Sequence, residues 1–132
     1  MKLEKIFTEI QVVSHKSLML LVRDSTLTDA LILQYAALLR NTWVIRSENL
    51  EISSEAKQIR NAILVKIFED GKIHLSDIYA RFNSKRAIKN IVKGLCTRTI
   101  DGWELKGFDE NAICDGNTEM QSNEYWESLK SN

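Results

Sequence analysis

The chain has 132 residues, 44% of them apolar and 27% charged, with no proline and two cysteines. Such a length suits one compact domain that buries a core without disulfides or a metal, and the composition excludes a disordered or fibrous protein. The formal charge is zero, yet residues 1–106 carry 17 Lys and Arg against 12 Asp and Glu while residues 107–132 carry 1 against 6, so a basic body precedes an acidic tail.

The opening MKLEKIFTEI sets Glu4 and Glu9 where a secretory signal needs an apolar run, so Cys96 and Cys114 are expected to be free thiols in a reducing, cytoplasmic setting. The most apolar stretch, residues 18–39, is interrupted by Arg23, Asp24 and Asp29, which argues against a membrane span. His15, His74, Cys96 and Cys114 have no metal-ligand spacing, and neither a glycine-rich phosphate loop nor a Ser-His-Asp order is present. The expectation is a protein without metal, cofactor or catalytic residues, and not an enzyme.

In chain order, Leu3, Ile6, Phe7, Ile10, Val13, Leu20 and Leu21 recur at three- and four-residue steps and predict a helix over 3–23, which residues 14–17 could break. Thr28 caps a second helix running from Asp29 to about Asn41. Its residues are apolar all round, so it is either the central helix of the domain or a dimer interface carrying Leu31, Tyr35 and Leu38. Residues 42–53 combine β-formers with a polar turn and predict a small hairpin, unless the helix extends through Trp43. Ser53 or Ser54 caps a helix to about Glu69, which Asp70-Gly71 ends. A short helix capped by Ser76 covers Asp77–Phe82, and after Asn83-Ser84 another runs from Lys85 to about Cys96, with Gly94 as a place where it could stop early. LEKIF at 3–7 is echoed by LVKIF at 64–68, each followed some 36 residues on by a tryptophan, as chance or as two degenerate copies of one unit.

The helix predicted from Lys85 is the most informative. At about 100° per residue, Ile88, Ile91, Val92 and Leu95 fall on one face, and Lys85, Arg86, Lys89, Asn90 and Lys93 on the other. No Asp or Glu occurs between 78 and 100, a stretch that also holds Arg81 and Arg98. Lysine and arginine neutralise phosphates, and asparagine or arginine can pair with base edges. Asp101-Gly102 then suits a two-residue turn, with Ile100 opposite Trp103 over the core and Arg98 near the base of the hairpin.

The order helix, short helix, basic helix, hairpin over residues 54–108 resembles the winged helix-turn-helix DNA-binding domains. The resemblance implies a recognition helix at 85–96 in the major groove and a wing at 97–106 on the flanking backbone.

The expected fold is mainly α with a small β-hairpin component: an N-terminal helical pair within 1–53, serving as a dimerisation arm, a winged-helix-like unit at 54–108, and an acidic tail at 109–132 that is mobile up to about 123. Residues 122–130, with Tyr125, Trp126 and Leu129, could form a short amphipathic helix, and the tail is a solubilising extension, a competitor that folds back on the basic helix, or an anchor that docks on a protein through Tyr125 and Trp126. The expected function is a small homodimeric DNA-binding transcriptional regulator whose Arg81, Lys85, Arg86, Lys89, Asn90, Lys93 and Arg98 contact duplex DNA. The alternative is a non-enzymatic interaction or inhibitor module, such as a phage- or plasmid-encoded one, docking on an acidic partner.

Overall fold

A computed structural model describes residues 3–22, 28–106 and 116–130. Within them the chain is mainly α with small antiparallel sheets, as the sequence predicts. The N-terminal part departs from a helical pair. The predicted helix at 3–23 is divided into α1 (Leu3–Glu9), β1 (Val12–Ser14) and α2 (His15–Val22). The predicted helix at 29–41 is α3 (Asp29–Ile32), capped by the Thr28 hydroxyl, followed by β2 (Ala36–Leu39). The hairpin partner of β3 (Thr42–Ile45) is β2, through a two-residue loop in which Arg40 and Asn41 take positive φ, rather than residues 50–52. Ser47–Asn49 form a single 3₁₀ turn instead.

The sheet order is β1-β3-β2, and both faces of β2 and β3 are covered. Ala36, Leu38, Trp43 and Ile45 close a core with Ile6, Phe7, Val13, Leu18 and Ile32. Ala37, Leu39 and Val44 face the other way, into a second core with Ile59, Ile63, Leu64, Ile67 and Trp126. A strand buried on both faces loses the polar-apolar alternation that marks a strand, which is why residues 30–39 read as a helix without a polar side. The fully buried Trp43 donates its indole N–H to His15 Nδ1 at 3.0 Å, which gives His15 a structural role.

The second part follows its local signals closely. α4 (Ser54–Asp70) starts where the Ser53 hydroxyl accepts from the Ala56 N–H at 3.1 Å, and ends at Gly71, in the left-handed region with φ 81. The guanidinium of Arg40, at the tip of the first hairpin, rests over Gly71 beside the negative end of the α4 dipole. α5 (Leu75–Tyr79) starts before Ser76, earlier than predicted, and α6 (Lys85–Leu95) continues through Gly94. β4 (Cys96–Thr99) and β5 (Gly102–Leu105) form the predicted hairpin in a different register. Thr99 pairs with Gly102, so Ile100 and Asp101 make the turn, and Arg98, not Ile100, lies opposite Trp103.

Ile73 adds a bridge to this hairpin by exchanging both main-chain hydrogen bonds with Trp103 at 2.9 Å. With Ile73 as a one-residue bridge in the place of β1, the order helix, sheet edge, helix, helix, hairpin occurs twice. Val13 pairs with Trp43 as Ile73 pairs with Trp103, and both members of the second pair lie sixty residues further on. Gly102 has φ 136, and a Cβ there would stand 2.8 Å from the Ile73 carbonyl. Gly102→Ala is expected to destabilise by roughly 1–3 kcal/mol through backbone strain and loss of the bridge, read as a lowered urea midpoint.

The acidic tail departs from its expectation over residues 116–123, which are helical, while the short helix expected at 122–130 is part of the same element. α7 (Gly116–Lys130) is a helix packed on β2 and α4, while residues 107–115 lie outside the described part. Thr118, Ser122 and Trp126 recur every fourth residue and are all buried. Thr118 donates to Asp29 Oδ2 at 2.8 Å, Ser122 Oγ accepts the Leu38 N–H at 2.9 Å, and Trp126 donates to the Leu38 carbonyl at 2.7 Å. Leu38 is on the edge strand of the sheet, with main-chain groups that no strand satisfies, and α7 supplies both missing partners.

Candidate nucleic-acid interface

α6 forms because its apolar residues share one stripe: Ile88, Val92 and Leu95 are buried against α4 and α5, with Ile91 and Ala87 half-buried beside them. The opposite face is exposed and carries Lys85, Arg86, Lys89, Asn90 and Lys93. None of its cations is in a salt bridge with a described residue. The face thus offers four cations and one amide at helical spacing, held in place by a buried stripe.

Its first turn is electrostatically unusual. Ser84 makes no side-chain capping bond, and Lys85 and Arg86 occupy the turn where a helix dipole favours carboxylates. Lys85 lies over the Tyr79 ring at 5.5 Å, which holds it near α5. Two cations and free N–H groups at a positive helix end are a local conflict that an anion relieves, and a backbone phosphate is such an anion.

The remaining predicted contacts are more scattered. Arg98 is exposed on β4, beyond the end of α6. Arg81 packs over Phe82 at 5.6 Å and lines a cavity of about 470 Å³ with Asn61, Val65, Leu129 and Lys130, away from the α6 face. In the first unit the corresponding helix, α3, carries no Lys or Arg; it exposes Leu31 and spends the Asp29 carboxylate on Thr118. Of the two copies of the topology, the second alone presents a basic helix.

The residues assigned to a partner interface are mostly consumed within the chain. The Leu38 side chain is buried in the first core and Trp126 in the second, Tyr35 is half-buried in the first core, and Leu31, at 41%, is the one of these left exposed. Tyr125 is half-buried; its hydroxyl donates to Glu48 Oε2 at 2.9 Å, and Arg46 stacks over its ring at 4.4 Å. Dimerisation through 29–41 and anchoring through Trp126 are therefore corrected, because both would need side chains that already fill the core. The acidic helix likewise docks on β2 and α4 and leaves the α6 face uncovered by it.

Other residues of consequence escaped the sequence. Arg60 reads as a solvated position of α4 but is buried, donating from Nη1 to Ser47 Oγ at 2.8 Å, and burial lowers its pKa to about 10. Burial and the neighbouring Glu48 carboxylate push the Tyr125 hydroxyl above its ordinary range. Burial also pushes the Cys96 thiol up to about 12, so it is no nucleophile at neutral pH. Among the described residues no three His, Cys, Asp or Glu side chains group as a metal would require. No described helix is long and apolar enough to cross a membrane.

The family model of the RPC5 protein matches residues 1–132. The chain belongs to the RPC5 family. No curated protein matches it. The RPC5 family is one of RNA polymerase III subunits, and this overturns the expectation of a transcriptional regulator that acts alone as a homodimer. A polymerase subunit gains affinity and register from its neighbours in the enzyme, so it has no need of the second copy that an isolated DNA-binding module requires.

Proposed function

We propose that the chain is a non-catalytic, nuclear part of RNA polymerase III that holds duplex DNA by its backbone through the α6 face. The observation that carries this reading is the exposed run of Lys85, Arg86, Lys89 and Lys93 beside the buried Ile88, Val92 and Leu95. Solvation alone is satisfied by mixed signs, as on α4 with its Lys66–Asp70 pair, whereas the α6 face has only one sign. The helix–helix–hairpin order around it supports a winged-helix mode of contact, with α6 as the element nearest the DNA. Arg86 and Asn90 are the residues able to reach base edges, and Lys85, Lys89 and Lys93 the ones suited to phosphates.

The test is fluorescence anisotropy of the purified protein on mixed-sequence duplex DNA at about 50 and about 200 mM salt. Three to four cations of the α6 face at the DNA give a slope of log Kobs against log salt of about −3 to −4, so affinity falls roughly 10²-fold over that range. Absence of binding at the lower salt overturns the reading.

A further inference from the structure

The hairpin that follows α6 is built differently from the helix. It is rigidly held: Ile73 exchanges two main-chain hydrogen bonds with Trp103, the Thr99 hydroxyl donates to the Gly102 carbonyl at 3.0 Å, and the Lys106 N–H donates to the Leu95 carbonyl at 2.9 Å. At its tip Ile100 is 103% exposed, against 62% for the next most exposed large apolar residue among those described, Leu20. Asp101 and Glu104 are exposed on the same hairpin, outnumber its one cation, Arg98, and pair with no cation among the described residues.

This chemistry is poor for DNA. Two carboxylates set against phosphates are repelled, and the minor groove, where an apolar side chain can wedge between base steps, concentrates negative potential. It suits a protein. An isoleucine at a rigid tip fills an apolar socket without losing backbone entropy on binding, and the carboxylates beside it fix the orientation if cations ring that socket. The polymerase subunit reading places neighbouring protein surfaces within reach of the hairpin, and the inference rests on that reading.

We infer that the 97–105 hairpin is a protein-docking knob and not a DNA contact: Ile100 enters an apolar socket on a neighbouring polymerase III subunit whose rim carries Lys or Arg facing Asp101 and Glu104. The α6 face and the hairpin then divide the work of one unit, the helix holding nucleic acid and the hairpin tying the unit to the enzyme.

The experiment is photocrosslinking in purified RNA polymerase III assembled on duplex DNA, with p-benzoylphenylalanine placed at Ile100 and, in a second sample, at Asn90. Position 100 is expected to crosslink to another protein subunit and position 90 to DNA. A crosslink from position 100 to DNA, or none to protein while position 90 labels DNA, overturns the inference. Failure of position 90 to label DNA, with position 100 still joined to protein, overturns the α6 contact instead. Asp101→Lys with Glu104→Lys is expected to lower the protein crosslink by roughly tenfold or more through like-charge repulsion at the rim; an unchanged yield removes the cationic rim and with it the stated partner chemistry.

Discussion

Replacement of Lys85, Lys89 and Lys93 together by glutamine is expected to lower the affinity for mixed-sequence duplex DNA about a thousandfold at about 50 mM salt and to flatten the salt slope by about three. The three residues recur every fourth position, are exposed, and are in no salt bridge with a described residue, so their loss removes phosphate contacts without breaking internal ones. Glutamine has nearly the helix propensity of lysine, and Ile88, Val92 and Leu95 remain buried, so α6 stays folded. Circular dichroism of the variant alongside the anisotropy titration checks this. A loss of less than tenfold, with the helix intact, means that the nucleic acid touches another part of the molecule.

The largest effect on stability is expected from Trp126→Ala. The indole is fully buried in the second core, and its N–H satisfies the Leu38 carbonyl at 2.7 Å. Truncation leaves a cavity and an unpaired edge-strand acceptor, and large aromatic-to-alanine changes in cores remove about 3–5 kcal/mol. Equilibrium urea unfolding should show the midpoint falling with little change in slope. Trp126→Phe keeps most of the packing and loses the hydrogen bond, so it should destabilise by only about 1–2 kcal/mol. If alanine and phenylalanine behave alike and cost under about 1 kcal/mol, α7 contributes little to the core and the described packing is overturned.

Arg60 shows why these effects belong to the assembled fold and not to single elements. Along α4 it occupies a position that a solvated helix gives to a charge, but the 3₁₀ turn at Ser47–Asn49 and Tyr125 of α7 close over it. The side chain is then held by one hydrogen bond to Ser47 and by the field of the Glu48 carboxylate, and burial pulls its pKa down to about 10. Nothing within α4 itself marks Arg60 for burial; the covering residues come from segments before and after it in the chain.

The sequence by itself determined the elements whose stabilising contacts are local. Ser53 before α4 and Gly71 after it, the apolar stripe and basic face of α6, and a hairpin in the right segment are all legible, because caps, helical periodicity and turn residues act within a few positions. The α6 side chains offered as the candidate site were visible for the same reason, since a helix fixes which residues share a face. The hairpin register was not, because Asp101-Gly102 and Ile100-Asp101 are both acceptable turns and the Ile73 bridge favours the second. Only the tertiary structure decided the fate of residues 12–14, 36–45 and 116–130. Residues 36–45 hold strands covered on both faces, whose apolar runs show no alternation to distinguish them from helix until partners are assigned, and 12–14 is a three-residue edge strand too short to show one. The last is a polar helix that folds onto the sheet because Leu38, on an edge strand some 85 residues earlier, has unpaired main-chain groups that Ser122 and Trp126 satisfy, while Thr118 ties the helix start to the Asp29 carboxylate.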